Sequence, residues 1–404
     1  MKRCFPLRGL MLLMSIVLCG VQVFAQTTIH ELKLEPTKSK AVEGKSYLFA
    51  VPYVVPVANI VSATNSSVNA SQGNVAIYQY DGSLVAKGQD PWVSVSTNGE
   101  LQSGRCYKMV LNGTTQNTWK CRPTATPKET KSVSVSKNTG SNPAISGWNG
   151  IANTVWSKAT ANLSGVTYAF VYNNTYAEFE LDVLDRMWDV GEPLFIQTAE
   201  AGSMTFTKSG VGFDFGGNLD PGQVFDAPAR QTEAISHTFA IAPLDDGFVD
   251  KVELFLQPEA KNTYVIGKDL AKLHGKGTDV LQMWMRAYDT DLTVHTAPLD
   301  NGKALVELHI YAPSADDYML TVNGDNVAQF SLLRDGVLQA KNIMNWRLHL
   351  TKGDNVFTLQ YGYPVPTGLD DKKAEKRYTK VVRDGKIYIE RNGEWFNVLG
   401  AQVR

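Results

Sequence analysis

A chain of 404 residues with 39 basic and 40 acidic side chains is close to electroneutral, which removes the electrostatic case for binding nucleic acid or coating an anionic lipid surface. Its length allows two or three domains with cores of their own. Abundant Val, Thr, Tyr, Phe and Trp, broken by Gly and Asn, point to strands rather than helices.

The chain opens with Lys2, Arg3 and Arg8, an apolar stretch over 10–23, and the small-x-small sequence Val23-Phe24-Ala25. This is the layout of a secretory signal peptide over 1–25, cleaved between Ala25 and Gln26. A lipoprotein reading through Cys19 is disfavoured by the large Leu18 before it. No later apolar run reaches the roughly 20 residues of a membrane-spanning helix, so the mature chain is expected to be exported without a transmembrane helix.

Cys4 and Cys19 leave with the leader, and Cys106 and Cys121 remain as an even pair in an oxidising compartment. They flank the strand-like run 107–111 and the polar turn Asn112-Gly113-Thr114-Thr115. With the turn centred between Gly113 and Thr114, the two cysteines fall opposite each other on a hairpin. A disulfide is then expected, worth roughly 3 kcal/mol in the chain-entropy model. A one-residue slip to an Asn112-Gly113 turn would spoil the opposition and leave two free thiols.

Taken in order, 26–123 reads as an N-terminal β domain. Residues 124–146, rich in Lys, Ser, Thr and Pro, read as a linker with one short strand at 132–135. A second β-sandwich region, in one or two subdomains, fills 147–365. Its clearest strands are 167–172, 176–181, 193–198, 203–208, 237–242, 250–256, 305–311, 318–322 and 355–361. Residues 267–274 have the pattern of a short helix. A charged linker over 366–377 leads to a β tail over 378–404, where turns at 383–386 and 391–394 separate three short strands. The two main parts echo each other: Tyr78 and Tyr80 precede the Gly-led run 104–109, as Tyr168 and Tyr172 precede the Gly-led run 191–197. The fold class is all-β, with tandem β-sandwich-like domains and a short C-terminal β-meander.

Chemistry is harder to find. The six histidines are His30, His237, His274, His295, His309 and His349. They show no i, i+4 pair, and strand-face or core histidines are the better reading than a metal site built from His309 and His349. There is no nucleophile elbow, P-loop or His-Glu-x-x-His. Glu178 and Glu180, followed by Asp182 and Asp185, have a spacing compatible with a glycosidase pair, but a solvated strand face explains them more simply. Asp214, Asn218, Asp220 and Asp226 on a Gly-rich loop could ligate Ca²⁺, although Asp and Asn at turns ordinarily bond their own backbone. Trp92, Trp119, Trp148, Trp156, Trp188, Trp284 and Trp346 would form a carbohydrate platform only if two or three were exposed in a row; sandwich cores use tryptophan routinely.

Three places resemble exported β-rich surface or secreted proteins of the Bacteroidetes, many of which end in a type IX secretion sorting tail. The first is Gly147-Trp148-Asn149 with Ile151-Ala152-Asn153, then 168–172 and 191–197. The second is 264–272 with Gln282-Met283-Trp284, continued by 304–308 and 317–322. The third is the tail itself, 383–389 through 397–404. The resemblance implies a surface or extracellular location and a tail engaged by export or attachment machinery. It implies no catalytic or cofactor-binding residue. Together these readings give an expected role: a non-enzymatic structural or adhesive protein, the alternative being a glycan-binding or glycan-active one.

Overall fold

The computed structural model describes residues 32–34, 46–112, 118–122, 131–208, 235–245, 247–275, 280–324, 326–341 and 344–363, together with the backbone of four strands between 378 and 403. Ala25, Gln26, His30 and the acidic loop from Asp214 to Asp226 lie outside the described residues. Within them the chain is all-β, and its strands gather into two tandem sandwiches, one large sheet and a terminal meander.

Alternation builds the first unit. Its strands are β1 (Leu32–Leu34), β2 (Ser46–Ala50), β3 (Val55–Pro56), β4 (Ile60–Ser62), β5 (Val75–Tyr80), β6 (Trp92–Ser94), β7 (Glu100–Leu101), β8 (Cys106–Leu111) and β9 (Trp119–Cys121). One sheet runs β2-β8-β5-β6, the other β1-β9-β4, and β3 pairs with β7. Successive side chains leave a strand on opposite faces. Phe49, Ile77, Tyr107 and Met109 therefore meet Leu34, Ile60, Trp119 and Cys121 inside the sandwich. Leu48, Tyr80 and Cys106 leave the same strands on the other side and enter a different core.

That alternation overturns the expected disulfide between Cys106 and Cys121. Strand β8 pairs with β2 and β5, whereas β9 pairs with β1 and β4, so the hairpin the bridge needed is replaced by a crossing from one sheet to the other. Cys106 points out of the sandwich and Cys121 into it; both are buried free thiols. The Cys106 thiol donates to the carbonyl of Ile151 across the unit boundary, at 3.0 Å. Burial pushes the Cys121 thiol up to about 12, far from the thiolate that reacts. Alkylation of the chain lacking residues 1–25 is expected to be slow when folded and to yield two thiols on unfolding without reductant. Thiols that appear only after reduction would restore the bridge.

The second unit repeats the first. Its strands are β10 (Ser132–Val135), β11 (Trp148–Ala152), β12 (Ala159–Asn162), β13 (Tyr168–Asn173), β14 (Glu178–Val183), β15 (Met187–Trp188), β16 (Pro193–Gln197) and β17 (Gly202–Lys208). The sheet β11-β16-β13-β14 has the connectivity of β2-β8-β5-β6, and β10-β17-β12 that of β1-β9-β4. The sequence echo belongs to this repeat. In each copy the Tyr-rich strand pairs antiparallel with the Gly-led one, and the leading glycines, Gly104 and Gly191, share a left-handed φ of 72° and 74°. The segment 132–135 is thus a strand of this sandwich, paired with 202–205, rather than part of a free linker.

A third core welds the units together. It takes Leu48, Tyr80 and Cys106 from the first unit and Trp148, Phe170, Leu181 and Phe195 from the second. The sheet holding β11 and β16 is covered on both faces, so every residue of both strands is buried, as in any sheet packed on two sides. Gly150 in β11 is required here, because a Cβ would stand 2.7 Å from the Tyr80 ring. The free edge of β2 is also occupied. Asn174 accepts from the Leu48 amide at 2.7 Å and donates to the Leu48 carbonyl at 2.8 Å, and the Ala50 amide donates to the Gly191 carbonyl at 3.2 Å. Asn174→Ala leaves both Leu48 groups without these partners. It is expected to cost about 1–2 kcal/mol, seen as a lower urea midpoint at unchanged slope.

The third unit comprises β18 (Ile235–Pro243), β19 (Asp250–Gln257), β20 (Leu270–Ala271), β21 (Gln282–Ala287), β22 (Thr290–Pro298), β23 (Ala304–Ala312), β24 (Asp316–Gly324), β25 (Phe330–Arg334), β26 (Val337–Lys341), β27 (Asn345–Leu350) and β28 (Gly353–Tyr361). Ten of them run in the order β26-β25-β28-β23-β21-β22-β19-β18-β24-β27, and β20 adds to β22. Both edges feed one core, Ala340 from β26 and Leu348 and Leu350 from β27, so the sheet curls around it. The expected helix over 267–274 does not form. Residues 265–269 make a turn closed by Asp269 N–H on the Val265 carbonyl, and β20 follows. Leu270, Ala271 and Val294 extend the welded core into this unit. The tail holds four strands, one more than the sequence pattern showed: β29 (Tyr378–Arg383), β30 (Lys386–Arg391), β31 (Glu394–Asn397) and β32 (Gln402–Val403), a simple meander.

Candidate functional site

The strongest concentration of polar chemistry lies where the second and third units meet. Glu178, the first residue of β14, is fully buried. Its carboxyl accepts from the Gly275 amide and, at 2.9 Å, from the Gln282 side chain at the start of β21. Burial holds this carboxyl above the usual range; the Gly275 amide and the charge of Lys272 pull the other way, and the Asp250 charge adds to the rise. Beside it, Lys272 and Asp250 form an ion pair at 2.5 Å with both side chains wholly removed from solvent. The same Asp250 oxygen accepts from the Met283 amide at 2.7 Å.

From this buried end a chain of contacts runs outward. Gln282 Oε1 meets His274 Nδ1 at 2.9 Å, and His274 Nε2 meets Asp291 at 3.0 Å. Arg286 donates to the other Asp291 oxygen. The Trp284 ring stands between two histidines, edge-on to His274 at 5.4 Å and stacked on its cross-strand partner His309 at 5.3 Å. His309 is held at 2.8 Å by both Glu307 and Asp354.

Two carboxylates on the two ring nitrogens require both to donate, which is the imidazolium state. Burial pulls the His309 pKa down, but the hydrogen bonds and charges of Glu307 and Asp354 outweigh it and raise it above the ordinary histidine value. A raised folded pKa means that the stabilisation is complete below the unfolded value, about 6.5, and is lost as pH rises through the folded one. The His309 ring resonances are expected to titrate above that value, and His309→Gln is expected to flatten the decline in stability over the same window.

The other sequence candidates are scattered. Glu178 and Glu180 do not share a solvated face: Glu178 is buried in the junction, while Glu180 accepts from Asn173 at 2.6 Å. Asp182 pairs with Arg186 at 2.5 Å. His309 and His349 are tied to different carboxylates, His349 to Asp317 at 2.8 Å. His295 is buried against Asp269 at 3.1 Å, and His237 packs on Phe330 in the core of the third unit. Among the described residues no group of three or more His, Cys, Asp or Glu side chains is arranged to hold a metal ion. Trp119, Trp148 and Trp188 are fully buried, and Trp92, Trp156, Trp284 and Trp346 are half-buried, so none of these seven stands exposed.

Sequence reasoning missed Asp250 and Lys272. A signal existed for Asp250: in DKVELFLQ it lies in phase with Val252, Leu254 and Leu256, which face the core. No helix among the described residues is long and apolar enough to cross a membrane. Compared with family models, curated proteins and solved structures, the chain matches none.

Proposed function

We propose that the chain is exported and serves, at the cell surface or outside the cell, as a structural or adhesive protein whose tail engages export or attachment machinery. The observation that supports this best is the continuous burial through the first three units: one core takes side chains from all of them, and the edge of β2 is filled by residues of the second unit. A body welded in this way presents its connecting loops on a stiff frame, which suits recognition or load-bearing. The signal-peptide layout at the start and the separate meander at the end agree with display.

Fractionation of cells carrying the full chain, against a chain ending near residue 368, tests the reading. Surface or extracellular protein for the full chain, and retention of the shorter one, is the expected result. Finding both in the cytoplasm would sink export, and equal surface display of both would reduce the tail to a structural meander. Binding or hydrolysis on a glycan array by the purified mature chain would replace the adhesive role with a carbohydrate one.

A further inference from the structure

We propose that Lys272 and Asp250 become joined by an intramolecular amide, the lysine Nζ condensing with the aspartate carboxyl. Their polar atoms lie 2.5 Å apart, and neither side chain has any exposure. A lysine ammonium carries three N–H donors, yet among the described residues its one hydrogen-bond acceptor is Asp250 Oδ2, an oxygen already shared with the Met283 amide. Met283, whose amide bonds the same oxygen, and Val252, two residues on from Asp250 in β19, are buried.

In such a place a charged pair is costly. Moving one proton from the ammonium to the carboxylate gives a neutral amine beside a neutral acid, which is a nucleophile beside its electrophile. The amine lone pair attacks Cγ of Asp250 and forms the N–C bond. The C–O bond to the hydroxyl breaks, and that hydroxyl leaves with a proton from the nitrogen as one molecule of water. Amine and acid give amide and water, so no oxidant or activating group enters. Holding the two groups in contact replaces the bimolecular encounter, an advantage worth an effective molarity on the order of 10⁵ M or more.

Glu178 sets a third buried carboxyl in the same enclosure. It is bonded to Gln282, the residue before Met283, and the charges of both Lys272 and Asp250 act on it. The neutral amide would end the burial of the two charges and tie the start of β19 to the segment after β20.

Mass spectrometry of the purified full-length chain, intact and after trypsin, tests this. The expected result is an intact mass one water below that of the sequence from its determined N-terminus, a branched peptide joining Lys272 to Asp250, and no cleavage after Lys272. Lys272→Met is expected to show the full mass. Linear peptides with a free Lys272 and a free Asp250 would overturn the proposal. So would a water loss mapped instead to an Asp-Gly step such as Asp81-Gly82 or Asp335-Gly336, where an aspartate can cyclise on its own.

Discussion

Relative to the unlinked, ion-paired form of the chain, Asp250→Ala is expected to cost about 3–5 kcal/mol of stability, the loss that follows when one partner of a buried ion pair is removed. The substitution strands the Lys272 ammonium, whose side chain has no exposure, and withdraws the acceptor of the Met283 amide. The size of the effect comes from the uncompensated charge rather than from the strength of the pair. Replacing both partners with apolar residues of similar volume, Asp250→Leu with Lys272→Met, is therefore expected to recover much of the loss. Urea unfolding of the single and double variants measures both quantities. If the single variant stayed within about 0.5 kcal/mol of the parent, the level of an ordinary surface change, the pair would not be buried as described.

Trp148→Ala is the second substitution with a large expected effect, about 3–5 kcal/mol for a fully buried aromatic cut to a methyl group. Trp148 sits in β11 within the core shared by the units, packs on Phe170 with ring centres 6.1 Å apart, and donates its indole N–H to the Ala144 carbonyl at 2.9 Å. Trp148→Phe keeps most of the volume and loses the donor, so a smaller cost of about 1 kcal/mol beyond the volume change is expected. Because the side chain lies between units, the alanine variant is expected to loosen the first and second units together. Hydrogen exchange at the amides of β8 and β16, which flank the cavity, checks this; acceleration confined to β16 would mean that the two units are coupled elsewhere.

The all-β class and most long strands were legible because their alternation is regular. Strands β19, β23 and β28 bury every second residue along nearly their whole length, as β24 does over its middle, and a period of two is plain wherever one face of a strand is buried and the other is not. The Tyr-and-Gly echo marked the tandem repeat for a similar reason: a left-handed glycine before a paired strand is a local requirement that the sequence must meet twice. What failed was long-range pairing. Residues 106–121 have the local look of a hairpin, and nothing local says that β9 returns to β1 and β4 across the sandwich. The 267–274 stretch has helical spacing, but Asp269 spends its carboxylate on the Val265 and Thr296 amides, which fixes a turn instead.

The junction was hidden for another reason. Glu178 reads as solvated until Gly275 and Gln282, roughly a hundred positions later in the chain, arrive to bond it.

The filled edge of β2 bears on how the chain can be dissected. Asn174 and Gly191 occupy hydrogen-bonding positions that a neighbouring strand would otherwise take. A fragment cut near residue 130 would keep its own sandwich core and lose both caps, baring a row of unpaired amides and carbonyls beside the apolar Leu48. Such an edge is a template for a second copy of itself. The fragment's self-association, rather than its failure to fold, would then set the limit on studying the first unit alone, and a useful cut would have to carry the second unit with it.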